Sequence, residues 1–166
     1  MIDITLPDGS VRNYESGVTA MEVAKDISEG FARNVLSASF NGQTVETSTP
    51  ITASGDLVLY TWNDEEGKTA FRHSTAHVLA QTLLEFYPDA KLSIGPAIEN
   101  GFYYDVDLGD KSISEKDFGA IEKRMLEIAR GKHEFNKESV SKEEALSFYK
   151  EQDNRHCSRY CDVILQ

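Results

Sequence analysis

Two histidines, His73 and His77, stand four residues apart within Arg72-His73-Ser74-Thr75-Ala76-His77. On a helix both imidazoles project from one face, close enough to share a water, an oxyanion or a metal ion. The spacing also arises by chance and lacks the glutamate of the metalloprotease His-Glu-x-x-His pattern, so two ordinary, partly buried histidines remain the alternative. A second candidate is the stretch from Ser93 to Asp105. Its glycines, Gly95 and Gly101, let a backbone approach a ligand, and Tyr104 can aim a hydroxyl into a cleft. The plainer reading there is a hairpin with an aromatic packing face. His133 reads as a solvated histidine at a polar junction, and Lys123-Arg124 and Lys142-Glu143-Glu144 read as solvated helix faces.

Periodicity supplies the elements that must position these residues. Phe71, Val78, Leu79, Leu83, Leu84 and Phe86 recur at helical spacing between Thr69 and Tyr87, ahead of Pro88, so the histidines fall on a substantial helix. Leu92 to Ile98 and Phe102 to Val106 read as paired strands around Glu99-Asn100-Gly101, the first bent by Gly95-Pro96. A second helix is predicted from about Ser114 to Ala129, with Phe118, Ile121, Met125 and Ile128 on one face. Phe135 to Val140 reads as a strand, and the capping box Ser141/Glu144 opens a third helix through Ala145, Leu146 and Tyr149.

Ahead of these lies a different pattern. Ile2 to Leu6 alternates apolar and polar residues, Pro7-Asp8-Gly9-Ser10 supplies a turn, and Val11 to Tyr14 completes a hairpin. Thr19 and Glu22 form a capping box before Ala20, Val23, Ala24 and Ile27. Val35 to Phe40, the turn Asn41-Gly42, a polar stretch to Thr49-Pro50 and the run Asp56 to Thr61 follow. The order strand, strand, helix, strand, strand over 1–62 predicts a β-grasp domain, in which one mixed sheet buries its face under a single helix. Asn63 to Lys68 reads as a short charged linker. The fold class is therefore α+β, a ubiquitin-like unit followed by a second α+β unit over 63–154.

With 40% hydrophobic and 27% charged residues among 166, the chain falls in neither the disordered nor the membrane class. No apolar run approaches the roughly 18 residues of a membrane span, and Met1-Ile2-Asp3-Ile4 lacks a signal-peptide start, so a cytoplasmic location is expected. Cys157 and Cys161 are too close together to imply a disulfide framework. The net charge of −11 repels a polyanion at long range and, taken alone, argues against a nucleic-acid partner.

Ile4-Thr5-Leu6-Pro7-Asp8-Gly9-Ser10 at the head of a β-grasp unit resembles the TGS domain of threonyl-tRNA synthetases, a domain that certain GTPases and stringent-response enzymes share. Asp64-Glu65-Glu66-Gly67, Arg72 to His77, Ile94-Gly95-Pro96 and Asn100-Gly101-Phe102-Tyr103-Tyr104-Asp105 resemble, in order and spacing, the editing domain of the bacterial enzymes. The resemblance runs to about Asn154 and includes Glu122-Lys123-Arg124-Met125. It implies an amino-terminal fragment with an incomplete editing domain, because the family's Asp-x-Cys-Arg-Gly-Pro-His segment is not in this sequence. Residues 155–166 carry no family character and are expected to form a disordered tail. Cys157 and Cys161 share the four-residue spacing of the family's Cys-x-x-x-His motif, but the threonyl enzymes are regarded as editing without a metal, and no metal is expected with His73 and His77.

By this resemblance the parent enzyme is a threonine--tRNA ligase that uses ATP, and this region serves proofreading by hydrolysing mischarged seryl-tRNA(Thr). His73 and His77 would be catalytic, lining the pocket for the seryl ester on the terminal adenosine, with His73 positioning water. Gly95 and Pro96 would form a backbone wall and Tyr104 would contact the terminal nucleotide. ATP, magnesium and a zinc ion are expected only in an aminoacylation domain absent from this chain, and no cofactor is expected here. The implied partners are the acceptor end of tRNA(Thr) and a second subunit held through absent domains. The chain alone is expected to be weak or inactive. A free-standing trans-editing deacylase and a TGS-type interaction module without catalysis are the alternatives.

Overall fold

Strand β1 (Ile2–Thr5) turns Ile2 and Ile4 inward and leaves Asp3 exposed, as the alternation requires. The structure, a computed structural model, describes residues 1–131 and 140–151, without the side chains of 149–151. It divides into two compact units, Met1–Arg72 and a second beginning at His73.

In the first unit β1 pairs antiparallel with β2 (Val11–Tyr14). Their turn is held by the Asp8 carboxylate, which accepts the Ser10 backbone N–H at 2.9 Å and its hydroxyl at 2.6 Å. After β3 (Val18–Thr19), α1 (Ala20–Ile27) starts with the predicted capping box: the Thr19 hydroxyl accepts the Glu22 N–H, and the Glu22 carboxylate accepts the Thr19 N–H at 2.8 Å. A second short helix, α2 (Glu29–Ala32), follows at once and was not apparent in the sequence. Then come β4 (Ser37–Phe40), β5 (Gln43–Val45), β6 (Pro50–Ile51) and β7 (Gly55–Tyr60). Asn41 and Gly42 make the β4–β5 turn with positive φ, as Asn-Gly permits.

The sheet order is β2-β1-β7-β4-β5, with β1 and β7 parallel and the other neighbours antiparallel. This is the mixed sheet of a β-grasp fold. Ile2, Ile4, Leu6, Ala38 and Leu57 from the sheet side pack with Ala20 and Val23 of α1 and with Ile51. Ile4 and Leu57 are fully buried, each contributing roughly 1.5–3 kcal/mol. The β3–β6 ladder, two residues on each side, carries too little alternation to be read from sequence.

The predicted linker Asn63 to Lys68 is instead the start of a helix. Helix α3 (Glu65–Phe86) begins inside it. The Asp64 carboxylate accepts the Thr61 N–H at 2.7 Å and the Thr61 hydroxyl at 3.0 Å, while the Asp64 carbonyl accepts the Lys68 N–H at 3.0 Å. Glu65 and Glu66 occupy the first turn, where the helix dipole favours negative charge. A linker and a helix amino terminus share this polar composition, so only the backbone geometry separates them. The predicted apolar stripe also shifts: Ala76, Ala80 and Leu83 are buried with Thr82, whereas Phe71, Leu84 and Phe86 are exposed.

In the second unit β8 (Lys91–Leu92) pairs antiparallel with β11 (Val106–Asp107), and β9 (Ala97–Ile98) pairs antiparallel with β10 (Gly101–Phe102). The predicted hairpin is present as two short ladders. Helix α4 (Glu115–Arg130) follows Ser114, whose N–H and hydroxyl both donate to Asp117, and it buries Ile121 and Ile128 while Phe118 stays exposed. Helix α5 (Lys142–Glu151) has the predicted Ser141/Glu144 box. His133, most of the strand expected at 135–140, Cys157, Cys161 and the tail 155–166 lie outside the described residues. No described helix is long and apolar enough to cross a membrane.

A pair of glycines separates close packing from mere helix propensity. A Cβ on Gly67 would sit 2.0 Å from the Thr61 carbonyl oxygen, whereas one on Gly119, inside α4, would meet nothing within 4 Å. Gly67→Ala therefore lowers stability by about 1–3 kcal/mol, and Gly119→Ala raises it by about 0.5–1 kcal/mol; thermal melts of both variants check the opposite signs.

Candidate functional site: an imidazole pair beside a bulged hairpin

His73 and His77 lie one turn apart on α3, and their Nε2 atoms approach to 3.0 Å. The rings stand nearly perpendicular, at 83°, with centroids 4.5 Å apart. A contact of this kind needs one protonated nitrogen and one bare nitrogen, so the two rings carry their protons differently. Both residues remain open to solvent. Partial burial, reinforced by the neighbouring imidazole of His73, holds the His77 pKa below the usual histidine range. His77 is therefore biased toward its neutral form, and across the pair one Nε2 donates and the other accepts.

The hairpin brings up the second group of predicted residues. Leu92 opposes Val106 and Ala97 opposes Phe102, so four residues, Ser93 to Pro96, face three, Tyr103 to Asp105. That mismatch is a β-bulge. Around it the Ser93 N–H donates to the Asp105 carbonyl at 3.0 Å and the Asp105 N–H to the Ile94 carbonyl at 2.9 Å. Pro96, which has no N–H to offer a ladder, occupies the bulge together with Gly95. A Cβ on Gly95 would lie 2.3 Å and 2.5 Å from two ring carbons of Tyr104 and 3.2 Å from the Ala76 Cβ. Glycine is thus what lets the Tyr104 ring lie against the bulge, and the bulge against α3 at Ala76, the residue just before His77.

The five residues singled out in the sequence are consequently arranged as two contacts, His73 with His77 and Gly95 with Tyr104, with Pro96 half-buried in the bulge. Ala76 joins the two, and its type gives no sign of this in the sequence because alanine carries no chemistry. A shallow hollow of about 460 Å³ is lined by Lys91, Ser93, Tyr104, Asp105, Val106 and Asp107. Tyr104 borders this hollow; the histidines are not among its lining residues.

Arg124 corrects a second expectation. It is not simply solvated: its Nε and Nη2 donate to the two carboxylate oxygens of Glu85 at 2.5 Å and 2.9 Å, and its Nη1 donates to Glu127 at 3.2 Å. This fork ties α4 to α3 two turns beyond His77 and holds the Glu85 carboxyl below its ordinary pKa. Among the described residues no set of three His, Cys, Asp or Glu side chains is grouped as a metal site.

Comparison with known proteins gives a TGS domain over residues 2–59. The chain is similar to a threonine--tRNA ligase of Flavobacterium johnsoniae, 67% identical over 151 residues, which are 91% of this chain and 23% of that protein. It is similar as well to those of Flavobacterium psychrophilum, 62% identical over 153 residues (92% of the chain, 24% of the relative), and of Phocaeicola vulgatus, 50% identical over 164 residues (99% and 25%). About nine-tenths of the chain thus matches threonine--tRNA ligases. The chain spans about a quarter of the length of these curated relatives and corresponds to their amino-terminal part. At 151 residues the match is far longer than the TGS domain at 2–59 and so extends into the second unit.

The lowered pKa of His77 has a testable sign. A histidine whose folded pKa is depressed contributes stability that is present above its unfolded value, about 6.5, and is lost as pH falls through the folded value. Ring-proton NMR titration should find His77 changing charge below the ordinary histidine range. In His73→Ala its midpoint should move part of the way back, because burial, the larger cause, remains.

Proposed function

We propose that this chain forms part of the proofreading site of a threonine--tRNA ligase, where the ester of serine on tRNA(Thr) is hydrolysed. The observation that carries the reading is the imidazole pair with Nε2 atoms 3.0 Å apart, on a helix packed at Ala76 against the Gly95–Tyr104 bulge. Serine differs from threonine by one methyl, a difference worth only about 1–3 kcal/mol in a binding pocket, so one selection step leaves errors that a second, hydrolytic pocket can remove.

In this reading a water enters between the rings. The unprotonated imidazole nitrogen of His73 takes a proton from that water as the oxygen attacks the ester carbonyl carbon. His77, held close to neutrality by its lowered pKa, supplies an N–H toward the charge that develops on the carbonyl oxygen. Collapse of the adduct breaks the bond to the ribose oxygen, which leaves with a proton, and releases serine. Gly95 and Pro96 provide the wall against the amino-acid side chain, and the exposed edge of Tyr104 faces the terminal nucleotide. Ligation of threonine with ATP, its magnesium and zinc ions, subunit pairing and a cytoplasmic setting belong, in the same proposal, to the enzyme of full family length.

The test compares hydrolysis of seryl-tRNA(Thr) and threonyl-tRNA(Thr) by the chain extended to the length of its relatives. Hydrolysis confined to the seryl ester is expected, and His73→Ala should slow it by roughly 10²–10⁴-fold. An unchanged rate in that variant would reject the catalytic role of His73, and a folded protein without any hydrolysis would favour a TGS-type interaction module.

A further inference from the structure

Two side chains, those of Tyr104 and Ala76, meet over the Gly95 backbone in the second unit, and of these three residues Ala76 alone has been given no task. The place where a Gly95 side chain would project is filled by the Tyr104 ring and bordered by the Ala76 methyl. Ala76 is 1% exposed, and it lies on the turn of α3 that carries His73 and His77. The separation between the imidazole pair and the bulged wall therefore depends on how little volume position 76 occupies.

We propose that Ala76 is a positioning and specificity-determining residue, whose single methyl sets the width of the gap between the histidine-bearing helix and the Gly95–Tyr104 wall. The inference rests on the proofreading reading above and adds the element that excludes threonine. A gap fixed by contact between a methyl and a glycine backbone cannot narrow further, and it widens when position 76 grows. A Cβ at position 95 would lie 3.2 Å from the Ala76 methyl, tighter than ordinary van der Waals contact, so the space between the two positions takes little beyond that one methyl, and carbons added at 76 press on the bulge and on Tyr104 with it. Arg124, by tying α3 to α4 through Glu85, resists the alternative in which the helix moves instead.

The prediction is a change of selectivity and not simply a loss of rate. In the chain extended to the length of its relatives, Ala76→Val should lower the ratio of seryl-tRNA(Thr) to threonyl-tRNA(Thr) hydrolysis by at least about tenfold, with threonyl hydrolysis rising in absolute terms. Ala76→Ser, nearly the same size, should keep the native ratio. Gly95→Ala, which pushes the Tyr104 ring away from the other side, should lower the ratio as Ala76→Val does and serves if the valine variant does not fold. Seryl and threonyl rates falling in proportion in the folded variants would overturn the inference while leaving the proofreading reading intact. A wild-type protein that hydrolyses neither ester would overturn both.

Discussion

Two imidazole nitrogens 3.0 Å apart on one helix face cannot both carry a proton toward each other. That constraint makes the pair asymmetric, one donor and one acceptor, and penalises the doubly charged state. It holds only while α3 keeps the two residues a single turn apart and faces them toward a fixed neighbour. The rest of the local structure serves that end. The Thr61–Asp64 contacts fix the first turn of α3, the Arg124 fork on Glu85 holds its later turns, and the Ala76–Gly95 contact fixes the hairpin beside the middle.

The packing that does this is made from the smallest residues. Gly67 under the Thr61 carbonyl, Ala76 and Ala80 along the buried stripe of α3, and Gly95 under the Tyr104 ring each remove volume so that backbones can approach. Large apolar residues nearby, including Phe71, Leu84 and Phe86, stay exposed instead. The first unit is built differently: a sheet and one helix bury branched aliphatic residues such as Ile4, Val23 and Leu57 in a conventional core.

That contrast explains what could be read from sequence. The β-grasp unit was legible because its strands alternate and its helix carries a capping box, Thr19 with Glu22. The four-residue spacing of the histidines was legible because helical period alone brings them together. The bulge at Gly95-Pro96 was legible as a bend, but not the one-residue slip between its two ladders, which depends on pairing partners distant in sequence. The start of α3 reads as a linker in the sequence because acidic residues are favoured both in solvated loops and in the first turn of a helix. Arg124 reads as a solvated cation in the sequence because Glu85, its partner, is 39 residues away. Ala76 escaped notice because volume, unlike charge or nucleophilicity, leaves no mark in a residue's own chemistry.

The most direct measurement is of the imidazole nitrogens themselves. Nitrogen NMR shifts of selectively labelled histidines at neutral pH should show one of His73 and His77 with its Nε2 protonated and the other with its Nε2 bare, the two coupled across the shared hydrogen bond. Two rings with the same tautomer and no coupling would contradict the account, because the pair would then be two independent surface histidines.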